Sequence, residues 1–151
     1  MRRDTRIVSA FLTSVAALIL AASALCAWAV AHGASPRWRV LFRVMCHGIE
    51  RRCLMMFGVP MPICARCTAI YIGLIAGVAV FMLIPLIEER VMRMIVYAAA
   101  IPMLIDGLTQ ATGLRESTNA IRLITGFVAA FAFGLWAVTA VEEGGRLKAE
   151  G

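Results

Sequence analysis

Charged residues fall in clusters along this chain and leave long apolar gaps between them. Residues 7–31 carry no Asp, Glu, Lys or Arg over 25 positions, and residues 69–87 and 123–141 each continue for 19. At ~1.5 Å of helical rise per residue, the first gap exceeds the ~30 Å hydrocarbon core of a bilayer and the other two nearly match it. A weaker stretch, residues 91–108, holds Arg93 near its start and Asp106 near its end. Arg93 can reach an interface along its aliphatic stem. Pro102 is tolerable in a membrane helix, where neighbours satisfy the freed carbonyl. The pattern predicts an all-α polytopic membrane protein of one domain. Its four transmembrane helices span about 7–31, 69–87, 91–108 and 123–141, and residues 32–68 form a Cys/His-containing interfacial loop. MRRDTR and Ala29-Val30-Ala31 also have the look of a signal peptide, but the apolar stretch is longer than the usual ~7–15 residues and favours a retained helix.

Small residues recur at four-residue spacing: Ala69, Gly73 and Gly77 in the second span, Gly126, Ala130 and Gly134 in the fourth. Such stripes let helices approach closely, against each other or against a second copy of the chain. Four crossings also put the first loop and the third loop, residues 107–122, on one side of the membrane. The segment 36–45 alternates Arg37, Arg39 and Arg43 with Trp38, Leu41, Phe42 and Met45, as a short interfacial amphipathic helix would.

Composition agrees with a bilayer setting, since 62% of the 151 residues are hydrophobic. The net charge of +6 is almost all arginine. These arginines flank apolar runs and have no RNA- or DNA-binding pattern around them, so lipid headgroups are the expected partners and nucleic acid is not. Lys and Arg divide almost evenly between the two faces, so charge does not orient the chain. Clustered thiols persist better in a reducing cytosol, which favours a cytoplasmic face for the Cys/His loop.

The chemistry concentrates in two segments. CHGIERRCLMMFGVPMPICARC, residues 46–67, holds Cys46, His47, Cys53, Cys64 and Cys67. A Cys-x-x-Cys turn presents two thiolates to one ion, and zinc takes four tetrahedral ligands. Cys46 is the natural third ligand, and His47 or Cys53 the fourth. Gly58, Pro60 and Pro62 are expected to form the turn that joins the pairs. Iron could use the same ligands. Cys64 and Cys67 could instead cycle through a disulfide, and Arg66 between them would favour the thiolate in either case. Cys26, inside the first span, reads as a small hydrophobe.

The second segment is DGLTQATGLRESTN, residues 106–119. A carboxylate such as Asp106 at a helix end near the membrane is costly unless paired, with Arg66, Arg115 or Arg122 as partners. Asp106 and His47 are the candidates for proton transfer. Gln110, Arg115, Asn119, Arg122, Arg66 and Arg52 are candidates for holding a lipid or an anionic small molecule. Ser117, Thr118 and Asn119 also fit a helix N-cap.

The motifs CH-x4-R-C, G-x-P-x-P-x-CARCTAIYIG-x3-G and DGLTQ-x2-GLRESTN-x-IRLITG together resemble a prokaryotic membrane-protein family, the domain of unknown function 2085, across residues 42–126. The match includes Cys46, His47, Arg52, Cys64, Arg66, Cys67, Tyr71, Gly73, Asp106, Gly107, Gln110, Arg115, Ser117, Asn119, Arg122 and Gly126. Ala69 stands where the family usually has Gly, and Cys53 where it often has Ser, which weakens Cys53 as an essential ligand and raises His47. The resemblance implies a small polytopic membrane protein and brings no established reaction. A zinc site, a membrane thiol-disulfide oxidoreductase and a non-enzymatic assembly or transport subunit all stay open.

Overall fold

The computed structural model describes residues 3–83 and 88–150. Four helices, α1 (Arg3–Ala31), α2 (Ala65–Leu83), α3 (Glu89–Ala111) and α4 (Asn119–Glu150), are each long and apolar enough to cross a membrane. The chain is a mainly helical, multi-pass membrane protein. The predicted second span reaches residue 87, and its last four positions lie outside the described residues.

The segment between α1 and α2 is folded. A 3-10 helix, Pro36–Val44, begins after Ser35, whose Oγ accepts from the Arg37 N–H at 3.4 Å. It takes the place of the expected amphipathic helix and leaves Trp38, Leu41 and Val44 exposed. A short 3-10 turn, Glu50–Arg52, then leads into an antiparallel hairpin of β1 (Cys53–Met56) and β2 (Val59–Cys64). Gly58 does turn the chain, but with Phe57: both have positive φ, 80° and 55°, in the two-residue turn that suits the strand twist. Pro60 and Pro62 lie in β2 instead. A two-stranded sheet has only edges, so proline there leaves no inner ladder broken. The hairpin packs Met61 and Ile63 with Cys46 against Ala27 of α1.

Helices α2 and α4 make the closest pairing. A Cβ on Gly73 would meet the Phe127 carbonyl oxygen at 2.5 Å, and one on Gly134 the Leu74 carbonyl oxygen at 2.8 Å. The two small-residue stripes therefore face each other within one chain. A Cβ built on Gly126 would come within 3.4 Å of the Ala69 Cβ, so the bare glycine opposite leaves room for the Ala69 methyl.

Helix ends differ from the pattern in three informative places. Helix α2 starts four residues early, placing Cys67 in its first turn. Helix α3 runs past the expected end at 108 to Ala111, so Asp106 lies inside the helix; the turn comes at Gly113, with φ 73°. Helix α4 continues through Glu142, Glu143 and the Gly144-Gly145 pair to Glu150. Thr5 bonds Glu142, and the Glu89 N–H donates to Glu143 Oε2 at 3.1 Å, so both glutamates are held by neighbouring helices.

Candidate metal centre

Cys64 is the last residue of β2 and directly precedes α2, with Cys67 in the first turn of the helix. The free N–H groups and positive dipole of a helix start favour thiolates there. The hairpin returns the chain so that Cys46 meets this pair. The three sulfurs lie within 4.8 Å of one another, and Cys64 Sγ is 3.5 Å from Cys67 Sγ. Zinc–sulfur bonds of ~2.3 Å in a tetrahedron put sulfurs about 3.8 Å apart, inside that range. The Cys64 backbone N–H also donates to Cys46 Sγ at 3.2 Å, as outer-shell donors do for ligand sulfurs. Hydrogen bonds from the Cys64 thiol, then the Cys67 thiol, hold the Cys46 thiol well below its ordinary value.

The other two sequence candidates lie elsewhere. Cys53 is buried, and its Cα pairs with that of Cys64 across the hairpin, yet its sulfur lies outside the three-sulfur group. Its thiol faces the Ile49 carbonyl oxygen at 3.3 Å. Burial first, then the charges on Cys46 and Cys64, push it up to about 11, so it stays a thiol at neutral pH. His47 is exposed and lines a cleft with Arg37, Arg39 and Arg43. Among the described residues, the group that could hold a metal ion therefore consists of the three sulfurs of Cys46, Cys64 and Cys67.

The two loops do meet. Arg66 of α2 forms an ion pair with Asp106 of α3, which is 6% exposed. Gln110 Nε2 donates to Asp106 Oδ2 at 2.8 Å, and Gln110 Oε1 accepts from Arg122 Nη2 at 2.9 Å. Asn119 Oδ1 accepts from Arg122 Nη1 at 2.9 Å, while Asn119 Nδ2 reaches the Cys53 carbonyl oxygen at 3.4 Å. Arg51 pairs with Glu116 at 2.7 Å. Arg122 is buried and within electrostatic reach of Arg52, Arg66, Asp106 and Cys64, which ties this polar cage to the sulfurs. Three buried polar atoms of the cage have no hydrogen-bond partner: Asp106 Oδ1, Arg66 Nε and Arg52 Nε. Arg115 is exposed, and among the described residues its guanidinium joins none of these partners. Thr118 is the N-cap of α4, accepting from the Ile121 N–H at 3.3 Å.

A family model described as "Predicted membrane protein (DUF2085)" matches residues 46–136, from the first cysteine of the cluster to the middle of α4. The chain belongs to this family. Two archaeal proteins are similar to it. An uncharacterized protein of Methanocaldococcus jannaschii, MJ1492, is 39% identical over 93 residues, 60% of each chain. An uncharacterized protein of Methanothermobacter thermautotrophicus is 38% identical over 88 residues, 58% of this chain and 79% of its own. The chain thus spans about 60% of the length of the former. No solved structure matches the chain.

Within the DUF2085 region the structure adds Tyr71, which packs against the buried group of Ala27, Cys46, Met61 and Ile63 and lies within electrostatic reach of Cys46, Cys64 and Cys67. In the sequence Tyr71 stands out only as part of a motif. The available signal was its spacing, four residues after Cys67 and so one helical turn away on the same face.

Proposed function

We propose that this chain is a membrane metal protein in which Cys46, Cys64 and Cys67 hold one transition-metal ion, zinc, at a face of a prokaryotic inner membrane. The observation that carries this reading is the convergence of three sulfurs from two separate segments. A redox pair needs two thiols, and the third has no part in it. Three thiolates with a divalent cation keep a net charge of −1 (−3 + 2). Arg52, Arg66 and Arg122 against one Asp106 supply the compensating positive charge nearby. Iron would suit the same sulfurs, and thiolate softness favours either over magnesium or calcium.

With three protein ligands the ion keeps an open position, which suits the site to Lewis-acid chemistry on a lipid or a small anion that Arg66, Gln110, Asn119 and Arg122 would orient. Asp106 Oδ1 is the acceptor left over for a proton from such a group. The thiol-rich face is assigned to the reducing cytoplasm.

Elemental analysis of protein purified in mild detergent under reducing conditions tests the reading, beside a Cys64→Ser/Cys67→Ser variant. About one zinc per chain, lost in the variant, supports it; metal-free protein in both cases overturns it. A second reading rests on the 3.5 Å approach of Cys64 and Cys67 at a strand–helix junction. There, two thiols become one disulfide and pass two electrons and two protons to a quinone-class acceptor. That reading requires a reversible disulfide between Cys64 and Cys67 in metal-free protein.

A further inference from the structure

Arg37, Arg39, Arg43 and His47 line a cleft of about 610 Å³ outside the sulfur cluster. Its shape is set by stiff backbone. Pro36 and Pro62 form parts of the wall, and Gly48 has φ 58°, where an added Cβ would press on the Pro62 carbonyl oxygen at 3.3 Å. The one carboxylate of the lining, Glu50, is already engaged by Arg39 at 2.6 Å. Among the described residues, no carboxylate comes within ion-pair distance of Arg37 or Arg43. Arg39 Nε is buried and has no hydrogen-bond partner. Three guanidinium groups and one carboxylate leave the cleft at +2 (3 − 1) before His47 is counted.

A stiff concavity with unbalanced guanidinium groups selects an anion. The guanidinium fork matches two oxygens of one phosphate, and charge-assisted hydrogen bonds are the stronger kind. Chloride or a single carboxylate would use fewer of these donors. Val40 and Ile49 add apolar wall to the same cleft. Trp38, Leu41 and Val44 of the adjoining 3-10 helix are exposed and apolar, which fits a segment seated at a bilayer surface.

The geometry points to a phosphate-binding cleft formed by Arg37, Arg39, Arg43 and His47, separate from the Cys46, Cys64 and Cys67 cluster. Its ligand is a phosphate group, carried either by an anionic phospholipid headgroup or by a free phosphate. The assignment does not depend on metal binding, and it gives His47 a donor role in the cleft.

The test is binding to the full chain in maltoside micelles, read by native mass spectrometry. The probes are dihexanoyl phosphatidylglycerol, dihexanoyl phosphatidylcholine and inorganic phosphate. Phosphatidylglycerol is expected to bind at one per chain, above phosphatidylcholine, and about tenfold more weakly to Arg37→Ala/Arg43→Ala. Inorganic phosphate with the same arginine dependence, and no phosphatidylglycerol, would also support the cleft and assign the free anion as its source. Binding that ignores the double substitution, or no binding of either anionic probe, overturns the proposal. Helicity by circular dichroism checks that the variant is folded. Arg43→Gln alone, with a smaller expected loss, carries the same comparison if the double variant is not.

Discussion

Cys46 and Cys53 show how much one residue's surroundings decide. Both are buried thiols near the hairpin, and only one joins the cluster. Cys53→Ala is therefore expected to keep the full metal content, while Cys46→Ala loses it; equal loss in both would sink the three-sulfur assignment. The Cys53 S–H stretch, assigned by its disappearance in Cys53→Ala, should persist through pH 9 and fade near pH 11, because burial holds the proton on. The sign follows from the raised value: any stability Cys53 contributes is present below pH 9 and lost as pH rises towards 11. Asp106 gives the opposite lesson. Removing one partner of a buried pair strands the other charge, so Asp106→Ala should cost about 3–5 kcal/mol. Arg66→Met/Asp106→Leu should recover most of that in thermal unfolding, and failure to recover would mean that the ion pair does more than balance charge.

At the scale of elements, α2 and α4 depend on glycine for their approach, and lipid supplies no hydrophobic drive to hold them together otherwise. Gly77→Val is expected to cost about 3 kcal/mol or more, seen as loss of folded protein on size exclusion, because its Cβ would meet Phe131 backbone. Gly144 lies in the same helix α4 with open space around its Cβ position. Gly144→Ala should leave stability unchanged or raise it by up to about 1 kcal/mol. If the two substitutions behaved alike, close packing would not be the cause. The stripes were legible because four-residue spacing is a property of one helix; that they face each other follows only from the fold.

At the scale of the whole molecule, the cluster and the cage need five segments to meet: the stretch around Cys46, the hairpin, α2, α3 and the start of α4. The exposed pair Arg51 and Glu116 contributes little to stability, but it marks where the two loops touch. Arg51→Lys should be joined to Glu116 within one chain by a carbodiimide, which couples an amine to a carboxylate in ion-pair contact, read by mass spectrometry of the linked peptides. No crosslink would separate the loops and dismantle the composite site.

Several features of this protein follow from local sequence alone. Uncharged runs long enough for a bilayer define the crossings, because backbone groups in lipid must be satisfied within a helix. An even number of crossings puts the cysteine loop and the Asp106 segment on one side. The Cys-x-x-Cys spacing brings Cys64 and Cys67 together without help from the rest of the chain. Tertiary structure decided the rest. The hairpin register sets Cys53 opposite Cys64, yet only the folding of the preceding segment back onto β2 and α2 brings the Cys46 sulfur, and not that of Cys53, into the cluster. Only the packing of α2, α3 and α4 joins Arg66 to Asp106 and leaves Arg115 in the open. His47, adjacent to a cluster cysteine in sequence, turns away from the sulfurs into a different cleft. Neighbours along a chain need not share a site, because backbone direction, set by distant contacts, decides where each side chain goes.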